Sequence, residues 1–243
     1  MIPKKIHYCW FGKTELPANI REYINSWKKY LCEYEFIQWN ETNFDININP
    51  YVKEAYEAKK WAFVSDYVRL YVLYNEGGIY LDSDIEVLRN FDNLLENYAF
   101  GGFESKGVIA TCILGTEKKN PIFKNFIDYY VDRHFKKENG VYDMTPNTVP
   151  ISKICREYGM IEKNIRQKLN YITIYPEDYF CPKSIIDGKI RLTENSYTIH
   201  HFDGSWQSEK SKFIKWLKYK IFSIIGNKYY PMIRKYYRYI KNK

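Results

Sequence analysis

The chain has 243 residues, of which 45% are apolar and 27% are charged, a composition that allows one sizeable core and excludes a disordered chain. No run of about 18 apolar residues offers a membrane span, and the N-terminal "MIPKKIHYCWFG" lacks the apolar region of a signal peptide. The five cysteines are widely spaced without a Cys-x-x-Cys pair, which argues against a disulfide framework and a structural zinc site. We therefore expect a soluble cytoplasmic protein with reduced thiols.

The net charge of +8 is concentrated at one end of the chain. Residues 210–243 contain eleven Lys or Arg and no Asp or Glu, which leaves 26 basic and 29 acidic residues in the remainder. The same segment mixes its lysines with aromatic and apolar residues and is interrupted at Gly226 and Pro231. This pattern predicts a slightly acidic body over residues 1–209 and a basic tail of two short amphipathic helices.

The predicted elements of the body alternate between strands and helices in chain order. Glycine is expected just past the end of a helix, as at Gly77 and Gly78, and Asn120 is placed to cap the helix that begins at Pro121. Such alternation predicts an α/β fold with a largely parallel sheet. The predicted strands are 3–9, 34–40, 79–85, 98–104 and 107–116, and the predicted helices are 15–31, 51–75 and 120–135.

Two carboxylates follow the buried strand pattern Ile79-Tyr80-Leu81. In a strand Asp82 and Asp84 project to the same side, and in an open α/β sheet ligands bind beyond the carboxyl ends of the strands. Paired carboxylates suit Mg2+ or Mn2+, which share their ligands with substrate phosphates. An Asp-x-Asp triplet also arises by chance about once in a chain of this length, so a solvated turn or a helix cap explains the pair equally well on this evidence alone.

A charged pair precedes these aspartates on a predicted helix. Asp66 and Arg69 are three residues apart and so lie on one face, while their neighbours make the helix apolar around most of its circumference. A surface ion pair is the simpler interpretation. Because a buried ion pair is costly without further partners, a ligand in a pocket is the interpretation that we favour.

Three stretches together resemble a known family in order and spacing. They are "IPKKIHYCWFG" at residues 2–12, "FVSDYVRLYVLYNEGGIYLDSDIEVL" at 63–88 and "HHFDGSW" at 200–206. Residues 2–206 thereby resemble glycosyltransferase family 32, which includes yeast α-1,6-mannosyltransferases and bacterial capsule transferases.

The resemblance implies a GT-A fold with C-terminal helices, a catalytic domain over 1–209 and transfer of a sugar with retention of anomeric configuration. It further implies a Mn2+ or Mg2+ ion, a nucleotide-sugar donor with UDP-hexose expected, and a saccharide acceptor. The acceptor would be linked to polyprenyl diphosphate, and the pathway would be bacterial capsular or surface polysaccharide synthesis.

The resemblance also assigns roles to individual residues. Asp84 would be the direct metal ligand, Asp82 would hold the donor and reach the metal, and His201 would be the last metal ligand, with His200 as the alternative. Around the donor, the implied contacts are Asp66 and Arg69 to the sugar and phosphate, Trp10 and Tyr80 around the base, Asn147 in the donor loop, and Ser205 and Trp206 to the diphosphate.

The basic aromatic tail supports a second hypothesis. Such helices lie in the interface of anionic membranes, so we expect residues 210–243 to hold the protein on the cytoplasmic leaflet of the inner membrane. Docking on the domain, or dimerisation, is the alternative for this segment.

Two other classes of function remain open. The pI of about 9.0 fits a nucleic-acid-binding protein, but the basic charge is terminal rather than spread along a folded face, so no nucleic-acid partner is expected. A metal-dependent phosphoesterase would also use paired aspartates, but it would need more His and carboxylate ligands to hold two metals.

Overall fold

Strands and helices alternate along residues 1–185 and 187–204, which the computed structural model describes. The strands are β1 Lys5–Cys9, β2 Glu35–Trp39, β3 Gly78–Leu81, β4 Ile85–Val87, β5 Ala99–Ser105, β6 Val108–Thr116, β7 Gln167–Lys168, β8 Thr173–Tyr175 and β9 Thr198–His200. The helices are α1 Ala18–Tyr30, α2 Pro50–Glu57, α3 Trp61–Glu76, α4 Pro121–Asp128, α5 Thr148–Glu157 and α6 Glu177–Phe180, with a 3-10 turn at Asp92–Leu94. The predicted basic tail, residues 210–243, lies outside the described residues.

A seven-stranded sheet in the order β2-β1-β3-β6-β5-β8-β7 forms the centre of the molecule. The pairs β1–β2, β1–β3 and β5–β8 are parallel, whereas β3–β6, β5–β6 and β7–β8 are antiparallel. Strands β1, β2, β3, β5 and β8 therefore run in one direction, so the predicted α/β class with a mostly parallel central sheet is confirmed. A separate two-stranded sheet joins β4 to β9 in antiparallel register.

Helices cover both faces of the central sheet. One buried apolar cluster includes side chains of α2, α3, α4 and α5, and the other includes side chains of α1 and α6 together with β4. Strand β3 contributes to both clusters, because Tyr80 belongs to the first while Ile79 and Leu81 belong to the second. This alternation is what a strand covered on both faces requires.

The helix predicted over 51–75 is two helices in the structure. Helix α2 ends at Glu57, and Lys59 adopts a left-handed conformation with φ 55°. The N–H groups of Lys59 and Lys60 donate to the carbonyls of Tyr56 and Ala55 at 2.9 Å each, which is the Schellman arrangement that ends helices. Glycine is the usual residue at this position, and its absence made the break invisible in the sequence.

Two further boundaries differ from the predictions. The strand predicted over 79–85 stops at Leu81, and Ile85 begins β4 in the other sheet. The helix predicted over 120–135 begins as expected, with Asn120 accepting from the Ile122 N–H at 3.0 Å, but it ends at Asp128. Within residues 1–185 and 187–204, no helix combines the length and the apolar character that a membrane crossing requires.

Candidate functional site

Asp82 and Asp84 lie on a turn at the carboxyl end of β3. The Asp82 N–H donates to the Cys112 carbonyl of β6 at 2.8 Å, and the Ile85 N–H donates back to the Asp82 carbonyl at 3.1 Å. The sequence predicted that the two side chains converge because both belong to one strand. That reason is wrong, since neither residue belongs to a strand. Their carboxylates nevertheless approach each other, because the turn reverses the chain between β3 and β4.

The imidazole that joins these carboxylates belongs to His200. Its Nε2 lies 3.3 Å from Asp84 Oδ1, and donor atoms of Asp82, Asp84 and His200 all lie within 4.8 Å of one another. The backbone of β9 and the residues after it also hold Asp84, through the His201 N–H to its carbonyl at 3.0 Å and the Asp203 N–H to its Oδ2 at 2.9 Å. The "HHFDGSW" motif is thus brought into direct contact with Asp84.

His201, the metal ligand expected from the resemblance, is not brought to the aspartates. In the β4–β9 ladder His200 lies opposite Ile85, and successive side chains of a strand face opposite ways. The Nε2 of His201 lies 2.8 Å from Glu86 Oε2, and its ring stacks on Tyr23 with centroids 4.4 Å apart. Of the two histidines left open by the sequence, the structure therefore places His200 at the carboxylates.

Arg69 connects the aspartates of α3 and of the turn. Its Nη2 lies 3.2 Å from Asp66 Oδ1 and 3.1 Å from Asp82 Oδ1, and all three side chains are at most 24% exposed. Its Nη1 donates to the Thr111 carbonyl at 2.7 Å and its Nε donates to the Ser65 carbonyl at 3.2 Å. Burial alone would lower the pKa of Arg69, but the charges of Asp82 and Asp66 keep it above its usual value. The guanidinium is a fixed positive charge beneath the site.

Asn147 joins the same network from the start of α5. Its backbone N–H donates to Asp66 Oδ2 and its side-chain amide donates to the Asp66 carbonyl, both at 3.3 Å. The Thr111 hydroxyl donates to the side-chain oxygen of Asn147 at 2.8 Å. The loop that contains Asn147 is therefore attached to α3 and β6, rather than being a plain surface loop.

The two outer aspartates of the network have shifted acidities of opposite sign. Burial raises the pKa of Asp66 to about 6, and the nearby Asp82 carboxylate adds to the effect although Arg69 opposes it. Burial also acts to raise the pKa of Asp84, but the imidazole of His200 and the Asp203 N–H outweigh it and hold the pKa at about 2. Asp84 is consequently the carboxylate that stays ionised over the widest range of pH.

The two aromatic residues predicted around the base occupy different environments. Tyr80 is 1% exposed, its hydroxyl donates to Asp82 Oδ1 at 3.0 Å, and the Arg69 guanidinium lies 4.8 Å from its ring centroid. Tyr80 thus lies beneath Asp82, in the core. Trp10 is partly exposed after β1, where its indole N–H donates to the Thr14 carbonyl at 2.8 Å. Since β1 and β3 are parallel neighbours, Trp10 and Asp82 lie at the same edge of the sheet.

Ser205 and Trp206, the predicted contacts to the diphosphate, lie outside the described residues. Sequence reasoning did not single out Asp203, although it belongs to the "HHFDGSW" motif; its carboxylate accepts from Asn19 at 2.8 Å and from the Tyr23 hydroxyl at 3.0 Å. Glu104 of β5 was also missed. Burial raises its pKa, and the charges of His200, Asp82 and Arg69 also act on it, so it lies within electrostatic range of the site. No motif surrounds Glu104, and only the pairing of β5 with β6 places it here.

The donor set is suitable for a divalent cation. Two carboxylates lie within 4.8 Å of each other and of the His200 imidazole, and they offer the oxygen ligands that Mg2+ and Mn2+ prefer. The carboxylates are partly exposed, which leaves positions for a ligand supplied from solvent. Arg69 adds a positive charge on the inner side of Asp82 and so offsets part of the negative charge of the carboxylates.

Comparison with known proteins finds similarity to glycosyltransferases. Residues 17–101 match the family described as glycosyltransferase sugar-binding region containing DXD motif. The uncharacterized glycosyltransferase L373 of Acanthamoeba polyphaga mimivirus is 26% identical over 199 residues, which cover 78% of this chain and 76% of that protein. Inositol phosphoceramide mannosyltransferase 3 of Schizosaccharomyces pombe is 28% identical over 156 residues, which cover 60% of this chain and 43% of that protein.

Among solved structures, the PaToxG glycosyltransferase aligns with a TM-score of 0.48 at 19% identity, over 64% of this chain and 69% of that one. The residues that match the family contain Asp66, Arg69 and the Asp82-Ser83-Asp84 triplet. The sequence matches support a glycosyltransferase enzyme, and over residues 17–101 the chain is similar to the family whose sugar-binding region contains a DXD motif.

Proposed function

We propose that this glycosyltransferase moves a hexose from a nucleotide-diphosphate donor to a saccharide acceptor, with a divalent cation held by Asp82 and Asp84. The observation that carries the proposal is the approach of these two carboxylates to His200 and to the buried Arg69 at the carboxyl end of a central strand. Ligands of open α/β sheets bind at this edge.

Mg2+ or Mn2+ fits the donor set, and when bound between the carboxylates and a diphosphate it stabilises negative charge on the departing group. Asp84 would be its principal ligand, because its pKa of about 2 keeps it ionised. His200 would orient Asp84 through the 3.3 Å contact. His201 is not included among the ligands, since Glu86 and Tyr23 occupy its ring.

Asp66 and Arg69 would hold the donor's sugar and phosphate. Arg69 is fixed by two backbone carbonyls as well as two carboxylates, so its guanidinium needs little reorganisation when an anion binds. Asn147 anchors the adjoining loop to Asp66. Trp10 lies at the same edge and offers a ring for the base, and Ser205 and Trp206 would contact the diphosphate.

Retention of configuration is proposed from the family resemblance. An acceptor hydroxyl that attacks on the face of the leaving group can pass its proton to a diphosphate oxygen, and this route needs no dedicated enzymic base. UDP-hexose is the proposed donor on the same ground. The yeast relative's name specifies mannosyl transfer to a phosphoceramide, which supports a lipid-linked acceptor and calls for GDP-mannose in the donor panel. A polyprenyl-diphosphate-linked acceptor in bacterial surface polysaccharide synthesis is the proposed context.

A thermal-shift screen of sugar nucleotides, with and without Mn2+, tests the proposal. A ligand at 100 times its Kd stabilises the folded state by about 2.7 kcal/mol, which corresponds to a rise in Tm of about 5–10 °C for a chain of this size. We expect the metal-dependent part of this rise to disappear in Asp84→Asn. The matched control is Asp128→Asn, because Asp128 is exposed and, within residues 1–185 and 187–204, forms its ion pair with Lys124 of the same helix.

The outcomes of the screen separate the rival functions. Transfer of labelled hexose from a shifting donor would support the proposal. A full metal-dependent shift in Asp84→Asn would show that the cation binds elsewhere. Metal-dependent cleavage of phosphodiesters without affinity for any sugar nucleotide would indicate the phosphoesterase instead.

A further inference from the structure

Two buried thiols lie next to His200. They form a group separate from the carboxylates described above. Cys112 of β6 and Cys181, which follows α6, are 2% and 4% exposed, and their Sγ atoms are 3.6 Å apart. One donor atom from each of Cys112, Cys181 and His200 fits within a 4.8 Å set. The sequence separates these cysteines by 69 positions, so spacing alone argued against a thiol metal site, whereas the fold brings the two thiols and the imidazole together.

The two ring nitrogens of His200 have different surroundings. Its Nε2 faces Asp84 Oδ1 at 3.3 Å, whereas its Nδ1 is buried and has no hydrogen-bond partner within residues 1–185 and 187–204. A buried polar atom without a partner is destabilising. The Nδ1 of His200 is therefore available to coordinate a metal ion.

The two sulfurs are at the distance of a thiol–thiol hydrogen bond, and this distance is also compatible with a shared metal ion but not with a covalent bond. Two thiolates on one tetrahedral Zn2+, each about 2.3 Å from the ion, lie about 3.8 Å apart, close to the 3.6 Å observed here. A disulfide requires about 2.05 Å. An ion can therefore enter between the sulfurs with little movement of β6 or α6, whereas a disulfide would require the two elements to approach.

We propose that Cys112, Cys181 and the Nδ1 of His200 bind a thiophilic divalent cation of the Zn2+ type, in a site separate from the carboxylate site of the transferase. Binding releases the two thiol protons to solvent, so that a 2+ ion with two thiolates and a neutral imidazole leaves no net charge in the core. The remaining Nε2–H of His200 then donates to Asp84. Metal-bound histidines commonly donate their second N–H to a carboxylate in this way.

The two sites are distinguished by ligand chemistry. Thiolates select Zn2+ and Co2+ over Mg2+ and Mn2+, which prefer carboxylate oxygens. The thiol site would fix the tautomer and the orientation of His200, and through it the position of Asp84. It therefore acts as a structural support for the proposed donor site without contacting the donor.

Titration of the metal-free, full-length protein with Co2+ tests this inference, because thiolate ligands give cobalt a charge-transfer absorption in the near ultraviolet that oxygen ligands do not. All proteins carry Cys32→Ser, since Cys32 is exposed. We expect one equivalent of Co2+ to produce the absorption, Zn2+ to abolish it, and excess Mg2+ to leave it unchanged. The absorption should be lost in Cys112→Ser and in Cys181→Ser but kept in Cys155→Ser, whose thiol is equally buried on α5.

Asp84→Asn separates this inference from the proposed transferase site. It should retain the cobalt absorption while it loses metal-dependent donor binding. Native mass spectrometry of the Zn2+ complex should show the mass of the ion less two protons. Absence of the absorption in the folded parent protein would overturn the inference, whether or not the cysteine variants fold. The inference is also overturned if the absorption persists in both Cys112→Ser and Cys181→Ser, or if the two thiols form a disulfide instead of binding the ion.

Discussion

Asp66 is a residue of this site whose negative charge is disfavoured by burial. Its side chain is 11% exposed and shares the Arg69 guanidinium with Asp82, and burial raises its pKa from 3.8 to about 6. Between these two values the folded protein binds more protons than the unfolded chain, so stability falls as pH rises. The stabilisation that results from the raised pKa of Asp66 is complete below pH 3.8 and is lost above about pH 6.

Asp66→Asn is expected to remove this dependence, because the amide resembles the protonated acid and does not titrate. The difference between the folded pKa of about 6 and the ordinary value of 3.8 corresponds to about 3 kcal/mol of folding free energy. The free energy of unfolding of the variant, less that of the parent, should therefore rise by up to about 3 kcal/mol between pH 4 and pH 6.5. Urea denaturation at several pH values without added metal measures it. Asp84 does not interfere, since its pKa of about 2 lies below this window.

Asp128→Asn serves as the control for this series. It makes the same chemical change at a carboxylate that is 42% exposed and lies outside the site, so it reports any effect of the substitution itself. A difference that stays flat with pH for Asp66→Asn would show that Asp66 ionises normally in the folded protein.

Some of these residue contacts could be predicted from spacing and others could not. The three-residue separation of Asp66 and Arg69 places them on one helix face, and the structure pairs them at 3.2 Å. The choice between His200 and His201 depends on which strand β9 joins and in what register. That register is set by tertiary packing, and no local pattern in the motif indicates it.

At the scale of elements, the break between α2 and α3 offers a direct test of backbone strain. Lys59 occupies the left-handed region with φ 55°, a conformation that costs about 1 kcal/mol for a residue with a Cβ and little for glycine. Lys59→Gly should therefore raise the free energy of unfolding by about 0.5–1 kcal/mol, measured by urea denaturation.

The neighbouring Lys60 supplies the matched control. Its φ is −97°, so glycine there relieves no strain and only increases the freedom of the unfolded chain. Lys60→Gly should be neutral or destabilising. An equal effect of the two substitutions, in either direction, would contradict the strain assigned to Lys59.

The positions of most elements followed from sequence periodicity, but several boundaries did not. The pattern over 79–85 reads as one strand because Ile79, Leu81 and Ile85 are all buried. In the structure they serve two sheets, since the chain turns at residues 82–84 to pair β4 with β9. Hydrophobic patterning reports burial, and it does not report which neighbour a strand will choose.

At the scale of the whole molecule, the site depends on both layers of the fold. Helix α1 supports the turn from one side, where the Trp27 indole N–H donates to the Ile85 carbonyl at 2.7 Å. Helix α3 supports it from the other side through Arg69 and Asp82. A mostly parallel sheet covered on both faces was predictable from alternating elements. The antiparallel insertion of β6 beside β3 was not, although it brings Cys112 beneath the aspartates.

The division of charge along the chain leads to a prediction about the full-length protein. The body has 26 basic and 29 acidic residues, whereas residues 210–243 have eleven basic residues and no acidic ones. Each lysine near an anionic bilayer contributes about 1 kcal/mol, and the attraction is screened by salt. We expect the protein to float with vesicles that contain phosphatidylserine, and to be released from them as the salt concentration rises.

Replacing five tail lysines by glutamine should weaken this binding by at least about 100-fold, since about 5 kcal/mol of attraction would be removed. The tail replacements are Lys210, Lys212, Lys215, Lys218 and Lys220, and the control replaces the body lysines Lys13, Lys28, Lys29, Lys118 and Lys153. The control removes the same charge, so it separates the position of the lysines from the net charge of the protein. Equal loss of flotation in both variants would mean that the tail has no special affinity for the bilayer, and unchanged flotation in the tail variant would exclude its lysines as the membrane contact.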